Sequence, residues 1–171
     1  SASGGGDVVS ASADKTAQVG SYNVDVTKLA TSGTLATERV EAPDQDIVSN
    51  DGTLDLGFGN GDTVNVSITA GSTLQDIRDA VNAKEGAGVN ASIINDGKGY
   101  RLSLNSTETG AEASITSTNF DTVAQGNIPT DSGNVEKQVG QDAKLSINGV
   151  GITSTTNEVS GAIQGVTLNL E

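Results

Sequence analysis

Short runs in which apolar and polar residues alternate recur along this 171-residue chain, and only one stretch adopts a helical period. Alternation with period 2 is typical of a half-buried β-strand, whereas apolar residues three and four positions apart are typical of an amphipathic helix. Between Thr53 and Ile115 the period changes from 2 to 3.6 and back. This stretch therefore predicts a strand-strand-helix-strand-strand module, with the helix across one sheet face. The predicted strands are residues 54–58, 64–68, 89–94, 100–105 and 113–117.

The predicted helix, residues 72–83, has clear start and stop signals. Ser72 and Gln75 fit a capping box, in which the Ser72 hydroxyl accepts a hydrogen bond from the third helical amide and Gln75 reaches back to the Ser72 amide. Asp76, in an early turn, suits the positive end of the helix dipole. Gly86 marks the stop. The apolar residues of one helix face are Leu74, Ile77, Ala80 and Val81.

Both flanks of this module return to strand patterns. The strands predicted before it are residues 8–13, 21–29 and 34–40, after a flexible segment at residues 1–6. On the other side, Asn148-Gly149 between two alternating runs is a strong hairpin signal, because both positions of such a turn need positive φ. Residues 159–163 are predicted to form one helical turn. The strands predicted on this side are residues 143–147, 150–153 and 166–170.

The strand pattern lapses twice, and we place domain crossings there. The first lapse is the acidic stretch 41–46, whose Pro43 cannot donate to a strand ladder, and the second falls within 121–140. A sheet of two or three strands is marginal alone, so we expect the two flanks to complete each other. The predicted fold is mostly β with one main short α-helix (α+β). Residues 1–42 plus 136–171 form a discontinuous domain, and residues 43–135 form a second small β-rich domain inserted into it. The alternative is two consecutive domains that meet near residue 45.

The side-chain inventory argues against several classes of function. The chain has no cysteine and no histidine, which removes disulfides, thiolate metal sites and the commonest general base. Nine basic against 22 acidic residues give a net charge of −13, so we expect no nucleic-acid partner. No apolar run approaches the roughly 20 residues of a membrane span. We therefore predict no enzyme, no membrane insertion, and no catalytic, cofactor-binding or metal-binding residues.

Three stretches combine Asn, Asp and Gly as calcium loops do, at residues 50–52, 60–62 and 95–99. A calcium loop of the EF-hand type needs carboxylates at alternating positions and a distal glutamate, and none of the three has that spacing. We interpret them as turns, in which these residue types tolerate positive φ. A module stabilised by calcium is a weaker alternative.

Three segments together resemble one family. Residues 71–82 followed by 88–104 are similar to the repeat motif of flagellar hook and filament proteins, and more fully to the flagellar filament-capping proteins, the FliD-type hook-associated proteins. Residues 20–30 resemble the opening strand of that family. Residues 141–150, with 152–154 and 157–170, resemble its closing segment. The resemblance covers most of the chain, in the family's order.

The resemblance implies an extracellular, non-enzymatic role as the structural plate of the bacterial flagellar filament cap, which assists polymerisation of flagellin at the filament tip. The partners it implies are flagellin and other cap subunits in a full-length parent. The chain starts at Ser1 and has no methionine, so we expect a central fragment without the parent's terminal helical segments. The fragment alone is expected to be monomeric or to associate weakly.

The alternative hypothesis is a bacterial surface adhesion module that binds a host glycan or glycoprotein. It is motivated by the acidity of the chain and its strands rich in Ser and Thr. Glycan sites usually use aromatic platforms, and the chain has only four aromatic residues, which places this hypothesis second. They are Tyr22, Phe58, Tyr100 and Phe120.

Overall fold

The computed structural model describes residues 8–171 as 13 strands and two short helices. The predicted fold class, mostly β with one main helix, is confirmed. The predicted flexible segment, residues 1–6, lies outside the described residues. In chain order the elements are β1 (Val9–Ala13), β2 (Val24–Lys28), β3 (Ser32–Ala36), β4 (Gly52–Phe58), β5 (Thr63–Ile68), α1 (Leu74–Ala83), β6 (Val89–Asn95), β7 (Tyr100–Thr109), β8 (Ile115–Thr118), α2 (Phe120–Val123), β9 (Glu136–Gln138), β10 (Ala143–Ile147), β11 (Val150–Ser154), β12 (Glu158–Ile163) and β13 (Val166–Leu170).

The strands form four antiparallel sheets around two separate cores. Two sheets, with the orders β6-β7-β3-β9 and β5-β4-β8, enclose the larger core with α1 and α2. The other two, β1-β13-β12 and β11-β10-β2, enclose the smaller core. Burial of apolar side chains between packed layers is the main stabilising term for each core.

Strands from opposite ends of the chain pair in the smaller group. β1 pairs with β13, with Val9 opposite Leu170, and β2 pairs with β10, with Val24 opposite Ile147. Neither end of the chain has enough strands to bury an apolar face alone. Residues more than 120 positions apart therefore share one core.

We propose a division of the chain at these two cores. The inner unit is residues 31–140, and the outer unit is residues 8–30 plus 141–171. These limits are wider than the inserted domain of residues 43–135 predicted from the pattern, because β3 pairs with β7 and β9 and so belongs to the inner sheet. Leu35 of β3 is buried in the inner core, whereas Ala30 is buried in the outer one.

Helix α1 has the predicted apolar face, but its start differs from the prediction. Leu74, Ile77 and Val81 are buried. The predicted Ser72 cap is wrong: Thr73 is the N-cap, its hydroxyl accepts the Asp76 amide at 3.1 Å, and the Asp76 carboxylate accepts the Thr73 amide at 2.8 Å. The Ser72 backbone is held outside the helix because its carbonyl accepts the Ile47 amide.

The predicted helical turn at residues 159–163 is also wrong, because these residues form strand β12. Val159 and Ile163 are both buried, and a spacing of four residues puts two side chains on one face in a strand as well as in a helix. A bulge between Ser160 and Ile163 interrupts the pairing with β13. Gly161 lies in this bulge with φ +78°.

The region predicted to lack a period, residues 121–140, contains the end of α2 and the three-residue strand β9. Both are shorter than the windows in which periodicity can be recognised. The Asn148-Gly149 hairpin is confirmed. Asn148 has φ 49° and Gly149 has φ 84°, and the turn joins β10 to β11.

Three asparagine side chains take the place of a neighbouring strand. The Asn82 amide on α1 accepts the Ala91 amide at 2.8 Å and donates to the Ala91 carbonyl at 2.9 Å, which covers the edge of β6. The Asn157 amide bonds both backbone groups of Ala30 in the same way. The Asn119 amide accepts the Asp55 amide and donates to the Thr53 carbonyl of β4, beyond the end of the pairing with β8. A primary amide carries an acceptor oxygen and an NH₂ donor group, so one such side chain can pair a backbone amide and a backbone carbonyl of a strand.

The position of the helix cap is testable by two alanine substitutions. We expect Thr73→Ala to lower the free energy of unfolding by about 1 kcal/mol, because it removes a side-chain acceptor from an unpaired first-turn amide. Ser72→Ala should have a smaller effect, since the Ser72 hydroxyl contacts only the Thr69 hydroxyl, at 3.3 Å. Urea denaturation of both variants measures the difference, and a larger loss for Ser72→Ala would contradict the structure.

Candidate functional site

The described residues contain no cluster of side chains that could bind a metal ion. No group of three or more Asp, Glu, His or Cys side chains within residues 8–171 is placed to hold a metal ion. The turn at residues 95–99 is the tip of the β6-β7 hairpin, as interpreted from the sequence, and Gly97 there has φ +86°. In the part of the chain that the structure describes, no helix is long and apolar enough to cross a membrane.

The surface depressions are shallow and polar. The larger, about 350 Å³, lies between the end of β5, the loop of residues 69–72 and helix α1. Its one carboxylate, Asp76, is already used by the helix cap. The smaller, about 170 Å³, lies beside Arg39 and Pro129. Neither presents the apolar, enclosed lining with a few convergent polar groups that small-molecule sites have.

Two arginines and one aspartate join the hairpin tip to the loop before β9. The Nε atom of Arg39 lies 2.5 Å from a carboxylate oxygen of Asp96, and the Nε atom of Arg101 lies 2.9 Å from the same oxygen. Arg101 is only 5% exposed, and its Nη1 atom also donates to the carbonyls of Thr37 and Asn134. This arginine cluster ties together three segments that are distant in sequence.

The arginine cluster lowers the pKa of Asp96. Hydrogen bonds from Arg101 and then from Arg39, which favour the charged carboxylate, hold that pKa at about 2, against an ordinary value of 3.8. The sequence alone did not indicate the cluster, since Arg39 and Asp96 are 57 positions apart.

The two units meet at a junction built mainly from backbone groups. Thr31 and Gln141, where the chain passes from one unit to the other, exchange two backbone hydrogen bonds of 2.9 and 3.2 Å. The Thr31 carbonyl also accepts the Gly110 amide from the end of β7. The Asp142 carboxylate accepts the Ala111 amide at 3.0 Å. Each crossing of the chain is thereby bonded to the other one and to the inner unit.

Ser114 lies at the centre of this junction and is completely buried. Its hydroxyl accepts the Gly140 amide at 2.8 Å and donates to the Gly110 carbonyl at 2.8 Å. Glycine is required beside it, because a Cβ atom on Gly140 would lie 2.6 Å from the Ser114 hydroxyl and one on Gly33 would lie 2.7 Å from the Ser114 Cβ atom. The packing at the junction therefore leaves no room for a side chain at either position.

The aromatic side chains do not form a platform. Phe120 is completely buried, and Phe58 and Tyr100 pack against the inner core. Tyr22, at 43% exposure, is the aromatic side chain that faces solvent among the described residues. A stacking surface for sugars would need more than this one ring.

Known proteins share both sequence motifs and the fold with this chain. Residues 53–108 match the model of the flagellin hook IN motif, and residues 140–171 match the model of the C-terminus of flagellar hook-associated protein 2. The D2-D3 domains of the flagellar cap protein FliD from Escherichia coli have a similar structure, with a TM-score of 0.82 and 36% identity. That likeness covers 97% of this chain and 89% of the other one. The chain belongs to the flagellar hook-associated protein 2 family.

Other members of the family agree over nearly the whole chain. The D2-D3 domains of the cap protein FliD from Serratia marcescens match with a TM-score of 0.79 and 30% identity, over 96% of this chain and 93% of that one. The B-type flagellar hook-associated protein 2 of Pseudomonas aeruginosa is 30% identical over 96% of this chain. The chain spans 38% of the length of that relative and 32% of one from Escherichia coli. The family predicted from three ordered motifs is thus confirmed.

The hydroxyl at the centre of the junction should be worth more to stability than an exposed one. We expect Ser114→Ala to lower the free energy of unfolding by about 2 kcal/mol, since it leaves a buried amide and a buried carbonyl without partners. Ser117→Ala, at an exposed serine three residues away, is the matched control and should stay within about 0.5 kcal/mol of the parent chain. Equal urea midpoints for the two variants would show that the junction does not depend on this hydroxyl.

The arginine cluster predicts a pH dependence of stability. The pKa of Asp96 is lower in the folded protein, about 2, than its ordinary value of 3.8. Its charge therefore stabilises the fold above pH 4, and this contribution is lost as the pH falls towards 2. We expect Asp96→Asn to lower the urea midpoint at pH 7 and to differ less from the parent chain at pH 2.5. A difference that stays constant between these pH values would exclude the ion pairs as its source.

Proposed function

We propose that this chain is the structural plate portion of a bacterial flagellar filament cap, which assists the polymerisation of flagellin at the filament tip. The single observation that carries the proposal is the match, over 97% of the chain, to the D2-D3 domains of a flagellar cap protein. The proposed location is extracellular, at the tip of the flagellum. The proposed partners are flagellin and other cap subunits of the full-length parent.

A stiff two-unit slab suits a plate that must keep its shape while subunits are added beneath it. The junction supports this role. The Ser114 hydroxyl and the Asp142 carboxylate bond the second crossing to the end of β7 and the segment after it, and the Thr31 carbonyl bonds the first crossing to Gly110. The arginine cluster supports it within the inner unit, where it holds the β6-β7 hairpin against the loop before β9. In this proposal the hydrogen bonds, as well as the two cores, keep the slab in shape.

The path of the chain supports attachment through the outer unit. β1 and β13 are antiparallel neighbours, and the Glu171 amide donates to the Val8 carbonyl at 3.0 Å. Any segments of a parent chain that continue from these residues would leave the outer unit side by side.

The proposed role is structural and non-enzymatic. The family members to which the chain is similar are named as cap or hook-associated proteins. The shallow depressions and the shared use of Asp96 and Asp76 in structural bonds support this. The adhesion hypothesis has less support, because three of the four aromatic side chains pack into the inner core.

A chimaeric cap protein tests the proposed function. The D2-D3 segment of the Escherichia coli cap protein would be replaced by this chain and expressed in cells that lack their own cap protein. We expect filaments to form and swimming to return at least in part, because the plate would be similar in shape. Filament length by electron microscopy and the spread of cells in soft agar measure the outcome.

The control for this experiment is the same chimaera carrying Gly140→Ala, which forces a Cβ atom against the Thr31 carbonyl and the Ser114 hydroxyl. This variant should be exported but should restore shorter filaments. If the parent chimaera is exported in folded form and filaments still do not form, the plate function is wrong for this chain.

A further inference from the structure

Most edge strands of the described residues carry a feature that discourages pairing with another chain. Unprotected edges template association, and proteins block them with charges, bulges or covering elements. β2 and β9 carry charged residues, β12 has the bulge at Gly161, and β6 is covered at Ala91 by the Asn82 amide. Helix α1 packs beside β5 and β6, and β8 lies against β3.

Strand β11 has none of these features. Its sequence, Val-Gly-Ile-Thr-Ser, contains no charge and no proline. Val150 is 66% exposed and Ile152 is partly exposed, although both lie on the side of the sheet that faces the outer core. A Cβ atom on Gly151 would meet nothing within 4 Å, so the face of β11 opposite Val150 and Ile152 is open. The edge strand β1 is also uncharged, but between Ser10 and Ala13 it presents only Ser and Ala.

The hairpin geometry decides which backbone groups of β11 are free. In a two-residue hairpin the closing pair, here Ile147 and Val150, exchanges both of its backbone hydrogen bonds. The pairing continues without a register shift to Ala143 opposite Ser154. The amide and carbonyl groups of Val150, Ile152 and Ser154 therefore face β10. Those of Gly151 and Thr153 point outward, away from the sheet.

This edge is complementary to itself. If a second β11 lies antiparallel to it about a twofold axis at Ile152, Gly151 of each strand faces Thr153 of the other, and four backbone hydrogen bonds form. Ile152 then lies opposite its own copy, in the non-hydrogen-bonded type of pair in which side chains approach most closely. We propose that β11 is a contact between two copies of this chain, which joins two three-stranded sheets into one of six strands.

The distribution of charge favours the outer unit for such a contact. The inner unit carries six basic and 16 acidic residues, a net charge of −10, whereas the described part of the outer unit carries three basic and five acidic residues, a net charge of −2. Two copies repel least when they approach through their outer units. Added salt screens the remaining repulsion and should strengthen the contact.

The contact is weak and closes on itself. Five residues per strand bury less than the roughly 800 Å² per partner of a standard stable interface, so we expect weak association. The same patch is used on both copies, so the assembly stops at two unless other surfaces extend it. The existence of this contact does not depend on the proposed cap function.

Single cysteines trap the contact in a chain that has no cysteine of its own. In Ile152→Cys the two thiols face each other across the twofold axis, at a Cα separation of about 4.5 Å that a disulfide accepts. In Val150→Cys each thiol faces Ser154 of the other copy instead. We expect Ile152→Cys to form a disulfide-linked dimer about tenfold faster than Val150→Cys under mild oxidation, because only the first pair meets the distance requirement.

Ile94→Cys is the matched control, since Ile94 is 46% exposed and lies on the edge strand β6. Its dimer should form slowly, at the rate of random collisions. Adding Thr153→Pro to Ile152→Cys removes an outward amide without touching the pairing with β10, and should slow the crosslink to that of the control. Rising salt should speed the crosslink of Ile152→Cys more than that of the control.

Non-reducing gel electrophoresis measures the rates of disulfide-linked dimer formation, and circular dichroism shows whether each variant is folded. Equal rates for Ile152→Cys, Val150→Cys and Ile94→Cys would overturn the proposal. A faster rate for Val150→Cys would overturn the twofold register at Ile152. If Thr153→Pro does not fold, Ile152→Lys replaces it in sedimentation equilibrium, with Ile94→Lys as its control. The proposal then requires Ile152→Lys alone to abolish the concentration-dependent rise in mass.

Discussion

Backbone pairing between the two ends of the chain is the constraint on which the rest of the structure depends. β1 and β2 come from the first 30 residues, and their partners β13 and β10 come from the last 31. Once they pair, the 110 residues between them must leave and return at one place, where Thr31 and Gln141 exchange two hydrogen bonds. The inner unit is therefore an insertion whose two ends lie next to each other. The Ser114 hydroxyl then bonds Gly140, at the end of the inner unit.

In this protein, polar side chains stabilise regions that apolar packing stabilises in proteins with larger cores. Only 34% of the residues are hydrophobic and two are phenylalanine, so each core is thin. Asn82 and Asn119 complete sheet edges with their amide groups, and Ser114 bridges two buried backbone groups. Since an unpaired buried amide costs as much as a lost methylene group or more, these side chains are structurally as important as core residues.

The surfaces of the inner and outer units differ in net charge, which suits a component of a larger assembly. The strongly acidic inner unit repels its own copies. The outer unit is nearly neutral, carries the free edge of β11, and holds the two ends of the described chain together. The chain belongs to the flagellar hook-associated protein 2 family, and the FliD structures that it matches are those of the D2-D3 domains.

The sequence by itself determined the local elements: the alternating strands, the apolar face of α1 with Leu74, Ile77 and Val81, and the Asn148-Gly149 turn. Each depends on neighbours within about four positions, where side-chain period and allowed φ are direct consequences of residue type. The three ordered motifs also identified the family. Only the tertiary structure decided that Thr73 caps the helix, that Val159 and Ile163 lie on a bulged strand, and that β3 joins the inner sheet. The arginine cluster and the Ser114 junction were also decided only by the tertiary structure. Their partners come together only when distant segments fold against each other, and the local sequence pattern does not indicate such a contact.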